Sequence, residues 1–136
     1  SVGRTIFDAD IVAFAGLSGD FNPIHVNDAF AATTDYKRRI AHGMLVASIV
    51  TGLRSRLDDY AMLGFMEAQR RYVAPVFPGD TITVTYEVIE ARRSKSRPSA
   101  GIVTLAVTVT KQTGETVQQG RDVLLLESKA GDNHGH

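Results

Sequence analysis

Gly43-Met44-Leu45-Val46-Ala47-Ser48-Ile49-Val50-Thr51-Gly52-Leu53 is the stretch on which the fold of this chain turns. It contains no charged residue, and Arg54, Ser55, Arg56, Asp58 and Asp59 follow it directly. An uncharged run that ends in an amphipathic turn predicts a helix buried on nearly all sides. Carried on through the polar residues, it would reach about 17 residues and ~25 Å, the width of a small domain. Such a helix needs something that can surround it, and the downstream sequence supplies it. Thr81-Ile82-Thr83-Val84-Thr85-Tyr86-Glu87-Val88 alternates with strand period, and Val103, Leu105, Val107 and Val109 alternate with Thr104, Ala106, Thr108 and Thr110 in the same way. An earlier strand over residues 62–76 ends at Phe77-Pro78-Gly79-Asp80; Thr113-Gly114-Glu115 reads as a hairpin turn, and residues 116–127 as a further strand. The pattern predicts an α+β fold in which a four-stranded antiparallel meander curves around a long buried central helix.

Upstream, Asp8 reads as a capping residue before Ile11, Phe14, Ala15 and Ser18, a spacing that predicts a helix over residues 8–17 stopped by Gly19. Pro23 lacks an amide hydrogen and holds Asn22 extended, so residues 20–25 are expected as an ordered loop. A short helix is expected over residues 28–33 and a connection over 34–39. No repeat or long linker interrupts the chain, so one domain is expected over residues 1–128. Residues 129–136 are small and polar and are expected to be a disordered tail. His134 and His136 fall there, which leaves His25 and His42 in the folded body.

The bulk properties narrow the function. The chain has 136 residues, with 15 Lys+Arg against 15 Asp+Glu, a balance that argues against nucleic-acid and membrane-surface partners. It contains no cysteine, which removes disulfides, thiol nucleophiles and thiolate metal sites. No apolar run reaches the ~18 residues of a membrane-spanning helix, and the first residues lack a signal pattern. A soluble cytoplasmic protein is expected.

The chemistry concentrates where titratable groups sit beside glycine, proline and asparagine. Asp20 and His25 lie five residues apart across Pro23 and can face each other if the loop folds back. A carboxylate and an imidazole sharing one water form a general acid/base pair, with ordinary pKa values of ~3.9 and ~6.5. Asn22 is expected to brace the loop, with ligand contact as its second role. Gly43 stands at the first turn of the uncharged helix, where its amide is unpaired and can stabilise an oxyanion. His42 is expected to be structural, bonded to a neighbouring loop.

These residues also carry a resemblance. The stretch from Phe14 to His25, Phe-Ala-Gly-Leu-Ser-Gly-Asp-Phe-Asn-Pro-Ile-His, with Ala31 beyond it, resembles the hydratase 2 motif of the MaoC-like, R-specific enoyl-CoA hydratases. Ala41-His42-Gly43-Met44-Leu45 resembles the second block of that family, and Pro75-Val76-Phe77-Pro78-Gly79-Asp80 extends the likeness through the meander. The resemblance implies a hot-dog fold and an acid/base pair formed by Asp20 and His25. It further implies that the Gly43 amide binds the thioester oxygen. Thr51 stands where close relatives have a supporting serine, Arg39 where they often have proline, and little precedes the first helix where they carry a leading strand.

The activity so implied is reversible hydration of trans-2-enoyl-CoA to (R)-3-hydroxyacyl-CoA, a hydro-lyase reaction of fatty acid metabolism. Asn22, Met44, Leu45 and Thr51 are the expected substrate contacts, with Phe65 as a further candidate for shaping the acyl site. Neither a metal nor a cofactor is expected, coenzyme A being part of the substrate. Alternatives are a 3-hydroxyacyl-[acyl carrier protein] dehydratase, a hydratase of branched or dicarboxylic enoyl-CoA, an acyl-CoA thioesterase and a non-catalytic acyl-binding module. Cations for the coenzyme A phosphates are sought among Arg38, Arg39, Arg70, Arg71 and the loop Arg92-Arg93-Ser94-Lys95-Ser96-Arg97, which reads equally as a solvated hairpin tip. Exposed sheet edges, together with the resemblance, lead to a homodimer as the expected assembly.

Overall fold

In the computed structural model, residues 2–53 and 60–128 are described. They form β1 (Arg4–Thr5), α1 (Asp8–Ser18), α2 (Pro23–Val26), α3 (Asp28–Ala32), α4 (Gly43–Val50), β2 (Tyr60–Tyr72), β3 (Thr81–Arg93), β4 (Gly101–Lys111) and β5 (Thr116–Ser128). The expected tail over residues 129–136 lies outside the described residues.

The alternating segments fold as strands because alternation gives each of them one apolar face. Ile82 and Val84 of β3, Leu105, Val107 and Val109 of β4, and Val117, Leu124 and Leu126 of β5 are buried. Burial of a valine or leucine side chain contributes about 1.5–3 kcal/mol, so this face alone commits the sheet to covering something. It covers α4. Leu45, Val46 and Val50 pack in one cluster with Ile82, Val84, Val107, Val109 and Val117, and Ile6, Ile11, Ala41 and Val76 complete it. The sheet also fastens the helix at both ends. Gln118 Nε2 donates to Gly43 O at 2.9 Å, and Tyr86 Oη donates to Val50 O at 3.1 Å.

Three expectations change. The strand order is β1-β3-β4-β5-β2, all antiparallel. Only β3, β4 and β5 form a meander: β2 pairs with β5 from Tyr60↔Ser128 to Tyr72↔Gln118, and β1 takes the free edge of β3. Residues 73–80 carry the chain from one side of the sheet to the other. Val73 and Ala74 bond Val117 O on the way, and the Ala41 amide bonds Val76 O.

Second, α4 ends at Val50, and Thr51, Gly52 and Leu53 close it with tighter i→i−3 bonds. The rest of the helix expected beyond Leu53 falls on residues 54–59, outside the described ones. Nor is α4 buried all round: Met44, Ser48 and Thr51 form an exposed stripe at helical spacing.

Third, Asp8 is not the cap of α1. Phe7 occupies that position, and Asp10 accepts its amide at 2.8 Å while pairing with Arg4. Gly19 does end the helix, at φ 80°, in the left-handed region that glycine enters without strain.

Candidate active site

Proline at position 23 does not prevent a helix; it begins one. Its missing amide hydrogen costs nothing in a first turn, and Asn22 caps that turn by accepting from Ile24 N at 3.1 Å. Residues 23–26 are therefore helical where a loop was expected, because proline forbids helix interiors but favours helix starts. One residue on, Asn27 Oδ1 accepts from Phe30 N and caps α3. The two short helices bury His25 and Ala31, while most residues around them stay exposed.

His25 is held through one ring nitrogen. Its Nδ1 lies 2.8 Å from Ile40 O, and since a carbonyl only accepts, Nδ1 carries the hydrogen. In the neutral ring this leaves the lone pair on Nε2, which faces Asp20 Oδ2 at 4.0 Å. That separation exceeds a direct hydrogen bond and matches the span of one water bonded to both groups. The Asp20 side chain is 51% exposed and that of His25 11%, so the pair opens to solvent from the carboxylate side. Asp20 Oδ1 also accepts from Asn22 N at 3.1 Å, a turn that fixes the carboxylate over the start of α2.

His42 lies beneath this pair. Its ring stacks on His25 with centroids 3.7 Å apart and planes inclined by 22°, and Phe14 closes the other side edge-on at 4.9 Å. His42 Nε2 donates to the backbone oxygen of Asp20 at 3.0 Å, which ties the carboxylate residue to the entry of α4. Asp20, His25 and His42 each offer an oxygen or nitrogen within 4.8 Å of the others. The stacking makes this a poor metal site. In-plane lone pairs of two nearly parallel rings point along separate planes, and one ion cannot sit in both at bonding distance.

Gly43 follows as the first residue of α4. A Cβ there would come within 2.8 Å of the Tyr72 ring, so only glycine lets the strand approach the helix this closely. Gly43 and Met44 also border a half-open cavity of about 520 Å³ whose other walls include Tyr36, Ile40, Tyr72, Pro75 and Gln118. Among the described residues no charged side chain lines it.

The remaining candidates divide. Asn22 uses its side-chain oxygen as a cap. Met44 is 60% exposed, borders the cavity and receives the Tyr72 hydroxyl on its sulfur. Leu45 is core, packed beside Val46 and Val50, because it points to the sheet side of α4. Thr51 lies two turns from Gly43, about 12 Å along the axis, and its hydroxyl donates to Ser48 O. Phe65 is on β2, away from the cavity wall.

Among the sought cations, Arg70 forms a buried bidentate pair with Asp122 at 2.7 and 3.2 Å. Arg38 lies over the Phe77 ring at 4.2 Å. Arg92 and Arg93 end β3 eight or nine residues beyond Val84, roughly 25–30 Å along the strand from the α4 entrance. Arg39 is committed elsewhere as well. Its guanidinium joins Asp8 of α1 at 2.9 Å to Asp28 of α3 and reaches the His25 carbonyl at 3.4 Å. The hydrogen bond to Asp28 raises its pKa, against the opposing pull of burial. Spacing alone did not reveal this clamp, or the Ile40 carbonyl, because both act across the chain reversal at residues 34–39.

A curled antiparallel sheet packed over a helix is the layout of the hot-dog fold. Comparison with known proteins agrees. The MaoC like domain matches residues 1–111, and the chain belongs to that family. It is 38% identical over 118 residues to an (R)-specific enoyl-CoA hydratase of Aeromonas caviae, covering 87% of this chain and 84% of the relative. It is 37% identical over 130 residues to an (R)-specific enoyl-CoA hydratase of Rhodospirillum rubrum, covering 95% of this chain and 85% of the relative. The solved (R)-hydratase from A. caviae involved in PHA biosynthesis superposes with a TM-score of 0.76 at 34% identity, covering 93% of this chain and 91% of that one. The chain is a hydro-lyase. Among the described residues no helix is long and apolar enough to cross a membrane.

Proposed function

We propose that this enzyme adds water reversibly to trans-2-enoyl-CoA, giving (R)-3-hydroxyacyl-CoA. The observation that carries the reading is the approach of His25 Nε2 to Asp20 Oδ2, 4.0 Å apart and open to solvent on the Asp20 side, with His25 Nδ1 held by the Ile40 carbonyl. A water held between them loses its proton to the pair as its oxygen bonds C3 of the enoyl group. The C2–C3 π electrons move toward the thioester carbonyl, whose developing negative charge rests on the Gly43 amide and the helix behind it. The pair returns a proton to C2, so one water is consumed and neither residue is changed. The reverse sequence dehydrates the hydroxyacyl thioester. The reaction uses no metal and no organic cofactor.

The described walls of the cavity beside Gly43 are apolar or neutral, which supports a neutral acyl group over a dicarboxylic one, since a carboxylate taken from water without a cation is costly. A homodimer fits the same reading. Among the described residues β2 pairs on one side only, and along it Met62, Phe65 and Met66 are exposed.

The test follows loss of the enoyl absorbance of crotonyl-CoA, with the product coupled in turn to an R-specific and an S-specific 3-hydroxyacyl-CoA dehydrogenase. Hydration with turnover only in the R-specific couple is the expected result. Release of free thiol with the enoyl chromophore intact would make the protein a thioesterase instead.

A further inference from the structure

One transverse rung of the sheet runs in register through Val84, Val109, Gln118 and Tyr72, directly under the first turn of α4. Val84 and Val109 are the residues expected there, apolar and buried. Gln118 is not. It is 2% exposed, its Nε2 donates to Gly43 O at 2.9 Å, and its Oε1 has no hydrogen-bond partner among the described residues. A buried amide with half its capacity unused is a poor choice for stability, because an apolar side chain of the same size would fill the space without an orphaned oxygen. Tyr72, its cross-strand partner, presses its ring face against Gly43 and sends its hydroxyl to Met44 Sδ at 3.1 Å.

We propose that Gln118, with Tyr72 beside it, is a positioning residue that sets the direction of the Gly43 amide. The inference rests on the oxyanion role assigned to that amide above. The amide and the carbonyl held by Gln118 lie on either side of the same Cα. Gly43 has no side chain to lock its backbone, so its orientation comes from what grips it. The Gln118 amide grips its oxygen and the Tyr72 ring blocks its Cα face. The first N–H of α4 is thereby fixed relative to the sheet rather than left to fray with the helix end, as electrostatic stabilisation of a developing oxyanion requires. Tyr86 holds the opposite end of the helix through Val50 O and serves as the control.

The experiment compares Gln118→Met, Gln118→Leu and Tyr86→Phe with wild type for melting temperature, kcat and KM on crotonyl-CoA, and amide hydrogen exchange over residues 43–46. For either Gln118 variant the expected result is a melting temperature equal to or above wild type and KM within twofold. In the same variants kcat falls at least tenfold and exchange at the start of α4 quickens. Tyr86→Phe is expected to lower the melting temperature and keep kcat within twofold. Unchanged kcat and exchange in a folded Gln118 variant would overturn the proposal. So would a joint fall of stability and kcat in both Gln118 variants, or an equal kcat loss in Tyr86→Phe. If wild type fails to hydrate any enoyl-CoA, the functional reading falls, and exchange over residues 43–46 still decides whether Gln118 holds the helix entrance.

Discussion

Residues 19–43 and the strands β3, β4 and β5 are built by opposite means. In the first region most backbone bonds are local, such as His25 N to Asn22 O, Asn27 N to Pro23 O and Ala31 N to Asn27 O. Its only buried residues are His25, Ala31, Ala41 and His42. In the second, long antiparallel ladders bury two apolar clusters. Two of the four buried residues of the site region are thus the histidines themselves. The candidate site is carried on a segment with little core of its own, pinned by the Ile40 carbonyl, the His42–Asp20 bond and the Arg39 clamp, while the sheet supplies most of the apolar core. Changes in the first region should therefore alter rate more than stability, and changes to the buried apolar residues of the second stability more than rate.

The sharpest way to break this comparison is Asp20→Asn. A positioned acid or base supplies about 10²–10⁴-fold, so kcat on crotonyl-CoA should drop at least a hundredfold with the melting temperature nearly unchanged. Near-normal turnover would take Asp20 out of the chemistry. Its counterpart in the sheet is Ile82→Ala, which should lose about 2–5 kcal/mol in chemical denaturation while the folded fraction keeps its kcat. A smaller effect is expected from Gly43→Ala, where the new methyl meets the Tyr72 ring. Displacing an oxyanion donor costs less than the roughly 10²–10³-fold of deleting one, so about a tenfold fall in kcat is expected, partly restored by adding Tyr72→Ala.

Arg39→Ala comes next. Its carboxylate partners are well exposed, so stability should fall by about 1 kcal/mol or less and kcat only a few-fold. A loss as large as that of Asp20→Asn would mean that Arg39 acts on the substrate. Last is a pH effect beside the sheet, at Asp80 just before β3. Burial would raise the pKa of Asp80, but hydrogen bonds from Gln112, the Phe77 amide and Lys111, with the Lys111 charge, hold it below the ordinary carboxylate value. A lowered folded-state pKa gives stability that is present above the unfolded value of ~3.9 and is lost as pH falls through the folded one. Unfolding free energy should therefore decline in acid below that range, and Asp80→Asn should flatten the decline.

Much of this was legible in the residues and some was not, for physical reasons. The strands over 81–88, 103–110 and 116–127 announce themselves because a period of two has no other use at that length, and the structure extends the first of them to Arg93. The position of β2 beside β5 leaves no such mark, since pairing across the whole sheet is set by which edge is free. Asp20 and His25 were legible as a pair because Pro23 makes the intervening chain turn. The helical state of residues 23–26 was not, because the same proline reads as a breaker until Asn22 is known to cap it. Arg39 looked like a phosphate ligand because its partners, Asp8 and Asp28, are distant in sequence.

The strand order has a further consequence during synthesis. β5 lies between β4 and β2, so β2 leaves the ribosome first and waits for its neighbour until β3 and β4 have both been made. At about 5–20 residues per second that delay is seconds, far longer than a hairpin takes to form. Throughout it, a strand carrying Met62, Leu63, Phe65 and Met66 has no described partner to pair with. The nascent chain is most prone to wrong association in that window, and a variant that slows translation before Thr116 should aggregate more while its finished fold is unchanged.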